Sequence, residues 1–297
     1  MQSADFLSAV FFYLKVGENL NQNWIVENLN NAFSTWNGKL GELWGLVTTG
    51  PQTFKGGAVW SVMQTLHNGM VGIGYALVVL FFAISLCKNT MNFHELKRPE
   101  AAIHYFLRFV AAKALVGYGM DIMLNVFSIC NGIVTDMADS MGGISEAMVS
   151  LPAEMQTAIE NVGFLASIPL WLVTILGSLF ITVLSFVMIL TVYGRFFRLY
   201  MYTALAPLPL AAFAGESTQS VGISFLKSYV GVCLEGAVIV LACVIFSAFA
   251  SSPPVVDAGA AAASMVWSYI GELVFNMLVL VGAVKMADRV VREMMGL

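Results

Sequence analysis

The chain has 297 residues, of which 59% are hydrophobic and only 11% charged. A soluble domain carries about 25% charged residues, so this composition excludes an ordinary soluble globular protein and points to a chain built for a bilayer. A net charge of −4 argues against a generally basic nucleic-acid binder, while leaving room for a local polar channel.

Residues 1–57 are mixed in character and read as an extracytoplasmic or interfacial region. Phe33, Trp36, Leu40, Leu43 and Val47 recur at steps of three and four, which predicts an amphipathic helix with one apolar stripe. Trp24, Trp36 and Trp44 suit a membrane interface, where an indole buries its ring and keeps its N–H wet. Such a helix either packs on the bundle, or lies in the interface plane or at a subunit contact. Gly50-Pro51 is expected to end it. No basic residue precedes the apolar stretch 6–16 and no small-residue cleavage site follows, so a signal peptide is not expected.

Residues 58–297 form the expected transmembrane domain. A span needs roughly 20 apolar residues, and the first is expected at 68–87, where Gly72 and Ala76 would let another helix approach. The second, at 103–134, is long and unusually polar: it contains Arg108, Lys113, Asp121, Asn125 and Asn131. Residues 135–162 follow with five carboxylates and no Lys or Arg, and Gly142-Gly143 and Pro152 mark them as a loop with one short helix. The third span, 164–192, is almost wholly apolar and ends at Arg195 and Arg198 among tyrosines. Segment 199–214 is short and carries Pro207 and Pro209. Further spans are expected at 229–250 and 265–284, and the chain closes with Lys285, Asp288, Arg289, Arg292 and Glu293.

The positive-inside rule orients these elements. Lys88, Lys97 and Arg98, then Arg195 and Arg198, then Lys285, Arg289 and Arg292 are expected to be cytoplasmic anchors. The loops 135–162 and 251–264, without basic residues, should face outward. Alternation then requires 199–214 to re-enter and return, or to lie along the inner interface. Prolines remove backbone donors there, and irregular backbone at membrane depth survives only when it is buried in protein or lines a wet cavity. The expected fold is an all-α polytopic bundle in the cytoplasmic membrane. It has about five spans, with the N-terminus outside and the C-terminus inside. A six-span arrangement, in which 199–214 crosses, is the alternative.

No catalytic, cofactor-binding or metal-ligating constellation is present in the sequence. His67, His94 and His104 are scattered, and Cys87, Cys130, Cys233 and Cys243 show no metal-like spacing. An enzyme is not expected. The notable chemistry is charge inside spans, which is costly in lipid and faces a bundle interior or a hydrated path. Ala114, Gly117, Asp121, Asn125, Ser128 and Gly132 would make one small and polar face. Ser268, Glu272 and Asn276 would make another, and Glu235 stands alone in the fourth span. These groups either pair with one another, or with Arg108 and Lys113, as interhelical glue, or line a conduit.

The stretch 203–213, TALAPLPLAAF, then 222–229, GISFLKSY, and a further span, together with the order of spans and the outward loop, resemble the TrbL-type polytopic channel subunit of type IV secretion and conjugal transfer systems. The resemblance implies a homo-oligomer in the inner membrane. It also implies work beside other secretion-system membrane subunits and secretion ATPases, and passage of single-stranded DNA or protein cargo, with no catalytic residue or cofactor. A secondary transporter and a scaffold or assembly factor of another membrane complex remain the other readings; a transporter would favour inverted repeats with paired broken helices.

Overall fold

The computed structural model describes residues 2–90, 99–140, 148–162, 164–250 and 262–297. Among these, the structure is helical and contains no strand. In order come α1 (Gln2–Thr48), α2 (Ala58–Thr90), α3 (Pro99–Gly117), α4 (Gly119–Ser140), α5 (Ala153–Glu160), α6 (Phe164–Leu205), α7 (Pro207–Ala211), α8 (Gln219–Ala250) and α9 (Ala262–Met295). Four helices are long and apolar enough to cross a membrane, and the bent pair α3–α4 supplies a fifth if it crosses as one. An all-α polytopic bundle is therefore the fold. Loop 251–264 falls largely outside the described residues, as do Gly142-Gly143, His94, Lys97 and Arg98.

The elements differ from the sequence expectation in four places, each with a physical reason. The amphipathic stripe of 33–47 belongs to a helix of 47 residues, because nothing before Gly50-Pro51 interrupts it. The second span is not one helix: the chain bends by 72° between α3 and α4, around Gly117-Tyr118-Gly119. Residues 135–140 continue α4 rather than opening the loop. Finally, 199–205 are the last turns of α6, a helix of 42 residues and about 63 Å at 1.5 Å per residue. The proline-broken piece is thus confined to α7 and a 3₁₀ turn, Ala212–Ala214. Pro207 lies in the first turn of α7, where a missing N–H costs nothing.

The chain divides into two compact units. One consists of residues 1–44, 142–191 and 242–285. The predicted stripe forms its core on α1: Phe33, Trp36, Leu40 and Leu43 are buried, joined by Ile25 and Leu29. Met155 and Ile159 of α5, Ile181 and Met188 of α6, and Ile270 and Met277 of α9 are also buried. Asn37 clamps the segment before α5 by two bonds: its Nδ2 donates to Val149 O at 2.8 Å and its Oδ1 accepts from Val149 N at 2.9 Å. Tyr269 donates to Ser150 O at 3.2 Å. Gly177 lets α9 lie close, since a Cβ there would sit 2.6 Å from Ile270 Cγ2.

The other unit consists of residues 45–141, 192–241 and 286–297. Here α7 packs on α2 and α3. The close approach on α2 is at Gly74, not at Gly72: a Cβ on Gly74 would meet Val116 at 2.9 Å and Pro207 at 3.0 Å, whereas one on Gly72 meets nothing within 4 Å. The Gly50–Gly57 turn is held by Phe54, which stacks on Phe196 with ring centroids 4.0 Å apart. It is also held by Tyr200, which donates to Pro51 O at 2.9 Å. His67 is buried, and its Nδ1 lies 2.7 Å from Thr203 O. A carbonyl only accepts, so that nitrogen carries the proton.

Candidate functional site: a buried ion cluster and a polar cleft

Both features lie in the second unit. The first grows from three helices. Arg195 and Arg198 stand three apart on α6, so they share a face. Glu235 of α8 is 1% exposed. Arg198 Nη2 donates to both of its carboxylate oxygens, at 2.6 and 2.8 Å. The other guanidinium arm of Arg198 pairs with Asp288 of α9, which Arg292 also grips at 3.1 Å. Glu235, expected to stand alone, is instead the buried end of a chain of ion pairs linking α6, α8 and α9.

Arg195 departs further from expectation. Sequence position marks it as an anchor at a basic edge, yet it is completely buried. Its guanidinium donates to the carbonyls of Val47 at 3.3 Å and Cys233 at 3.4 Å, and its Nε has no partner among the described residues. It lies 5.9 and 6.0 Å from the ring centres of Phe196 and Phe127, within cation–π range. Gly236 makes the room: a Cβ there would come within 2.8 Å of three guanidinium atoms. Arg198 is half-buried, while Lys285, Arg289 and Arg292 are exposed. The sequence signal for the cluster is an acid inside an apolar span; only the fold shows which cation answers it.

The second feature is a cleft of about 520 Å³ beside α4, lined by Asp121, Asn125, Phe127, Ser128 and Asn131 and by the Gly50–Gln52 turn. Asp121, Asn125 and Ser128 recur at steps of four and three, so the expected polar face exists on α4. The bend removes Ala114 and Gly117 from it; Gly117 lies against the Tyr75 hydroxyl instead. Asn131 Nδ2 donates to Thr48 O at 3.3 Å, while its Oδ1 is buried without a partner among the described residues. Asp121, Asn125 and Lys113 are exposed. Arg108 reaches Gln219 at 3.2 Å and Glu216 at 4.0 Å. In the other unit, Glu272 is exposed and Asn276 half-buried on α9. Among the described residues, no group of three His, Cys, Asp or Glu side chains could hold a metal ion. Cys130, Cys233 and Cys243 are buried free thiols and Cys87 is an exposed one.

What this arrangement can do is hold charge within a membrane bundle: paired between Arg198, Glu235 and Asp288 in the cluster, open and acidic in the cleft. Comparison with known proteins gives one family. The model of the TrbL/VirB6 plasmid conjugal transfer like proteins matches residues 36–207, more than half of the chain, from the last turns of α1 to the start of α7. No curated protein and no solved structure matches.

Proposed function

Because the chain belongs to the TrbL/VirB6 plasmid conjugal transfer family and so serves a conjugal transfer or type IV secretion apparatus, we propose that it is a structural channel subunit of that apparatus. In this reading it oligomerises in the cytoplasmic membrane beside other membrane subunits and secretion ATPases. It contributes to the path of single-stranded DNA or protein cargo, and it performs no covalent chemistry. The observation that carries the reading is the polar face of α4, which opens on a cleft in a bundle of long apolar helices. A carboxylate facing lipid would cost about 2.5–3.5 kcal/mol on insertion scales. Asp121 and Asn125, and Glu272 and Asn276 on α9, therefore belong at the interior of the assembly.

Asp121→Leu should insert normally, since it makes the span more apolar, and should weaken assembly and reduce transfer at least tenfold. Glu272→Leu should do the same. Leu176→Ala, which trims an exposed α6 side chain, should change neither. Membrane levels and a mating or secretion assay on the same strains decide it: wild-type assembly and transfer by both acid variants would remove the interior assignment.

Orientation follows from the basic clusters. Single cysteines at Ser3, Ser140 and Ser252, in a background lacking the native four, should react with an impermeant reagent added outside. Cysteines at Asn92 and Gly296 should react only after the cells are opened. Outside labelling at Gly296 would reverse the C-terminus and with it the five-span arrangement.

A further inference from the structure

Two opposite charges flank the α3–α4 bend, each without a partner among the described residues. Lys113 of α3 and Asp121 of α4 are both exposed, and neither makes an ion pair or hydrogen bond among the described residues. Both lie in the bent pair of span-forming helices, Ile103–Gly117 and Gly119–Asp139. Lys113 stands about 15 Å of helix from the start of that stretch at 1.5 Å per residue. Hydrocarbon cannot answer either charge, and unpaired ionisable groups facing it are expensive. Between them Tyr118 is 66% exposed, and beside Lys113 the α3 surface carries Phe106 and Val110, exposed as well.

The chemistry of the cleft says what the contact receives. Asp121 supplies a carboxylate, Asn125 an amide and Ser128 a hydroxyl, and no basic residue lines the cleft. Deeper in, Asn131 Oδ1 is a buried acceptor without a donor among the described residues. Such a site asks for a cationic group with several N–H donors, and a lysine ammonium offers three. We propose that Lys113 of a neighbouring copy of this chain enters the cleft and pairs with Asp121, so that each subunit gives its lysine to one neighbour and its cleft to the other. One sequence supplies both halves of the contact. With the lysine given to one neighbour and the cleft to the other, the contact is heterologous, and it builds a ring where its rotation closes. The contact rests on the oligomeric channel reading above and adds what joins the copies.

Co-expression tests it, because only a contact between copies can be repaired in trans. Lys113→Asp and Asp121→Lys, each alone, should insert but lose the oligomer and reduce transfer at least tenfold. Produced together in one cell, they should regain oligomer and transfer to within a few-fold of the parent. The acid now carried at position 113 of one copy then meets the wild-type acid's replacement, a base at position 121, on the next. In parallel, a tagged Lys113→Cys chain and an untagged Asp121→Cys chain, both lacking the native cysteines, should give a mixed disulfide-linked dimer on oxidation in the membrane. An oligomer that yields no such dimer and no repair overturns the proposed contact and leaves the channel reading standing. The contact is equally overturned if the Asp121 variant alone is impaired, as a site for a free cation would require. A parent protein that is monomeric in membranes overturns both.

Discussion

Arg198→Leu is expected to lose about 3–5 kcal/mol of stability, the usual cost of stripping one partner from a buried ion pair. Glu235 is 1% exposed and Arg198 grips both of its oxygens. Without the guanidinium, the carboxyl group is left buried beneath α6 stripped of both of its hydrogen bonds. Asp288 suffers less, because Arg292 still holds it. The double variant Arg198→Leu/Glu235→Leu should recover most of the loss, since apolar residues of similar volume often replace a buried pair at little cost. With the exposed Cys87 replaced by Ser, Cys130, Cys233 and Cys243 are all buried, so the rate at which a thiol-reactive dye labels the heated protein in detergent reports unfolding. A single Arg198→Leu protein that unfolds with the parent would mean that the pair does not hold these helices together.

Gly74→Leu is the second large effect expected. Overpacking a fitted contact costs about 1–3 kcal/mol and occasionally more, and here the outcome lies at the upper end. A Cβ on Gly74 would stand 3.0 Å from the carbonyl oxygen of Pro207. That atom is backbone, in a turn whose prolines restrict how far it can yield. The Val116 methyl at 2.9 Å can rotate away; the carbonyl cannot. The α2–α7 contact should therefore open, with earlier unfolding and loss of transfer. Gly72→Leu is the control: its position is exposed and nothing lies within 4 Å, so it should behave as the parent. Equal damage from both substitutions would place the fault in α2 itself rather than in its contact with α7.

The two glycines show how far pattern reading reaches. Gly72 and Ala76, four apart, satisfy the small-residue spacing for helix approach, yet the approach is made at Gly74. Spacing identifies faces that could pack; it does not say which face a neighbour occupies. The same limit applies at the α3–α4 bend. A run of polar residues at three and four is continuous only if the helix is straight, and the bend at Tyr118 leaves Asp121, Asn125 and Ser128 on the cleft and turns Gly117 toward Tyr75.

By itself the sequence determined that this is a membrane bundle of helices, because 59% hydrophobic residues with 11% charged have no other stable home. It determined the apolar stripe from Phe33 to Val47, since burial of one helix face requires that period. It also set the break at Gly50-Pro51 and the proline interruption at Pro207 and Pro209, since both act through the local backbone. Charge pairing lay beyond it. Arg195 and Arg198 share the composition of an interfacial anchor, but the fold buries the first wholly against Phe127, Phe196 and Gly236 and gives the second to Glu235 and Asp288. Residues 37 and 90 positions apart meet only through tertiary packing, and in a low-dielectric interior the partner, not the residue type, decides whether a charge anchors, pairs or remains open for a neighbour.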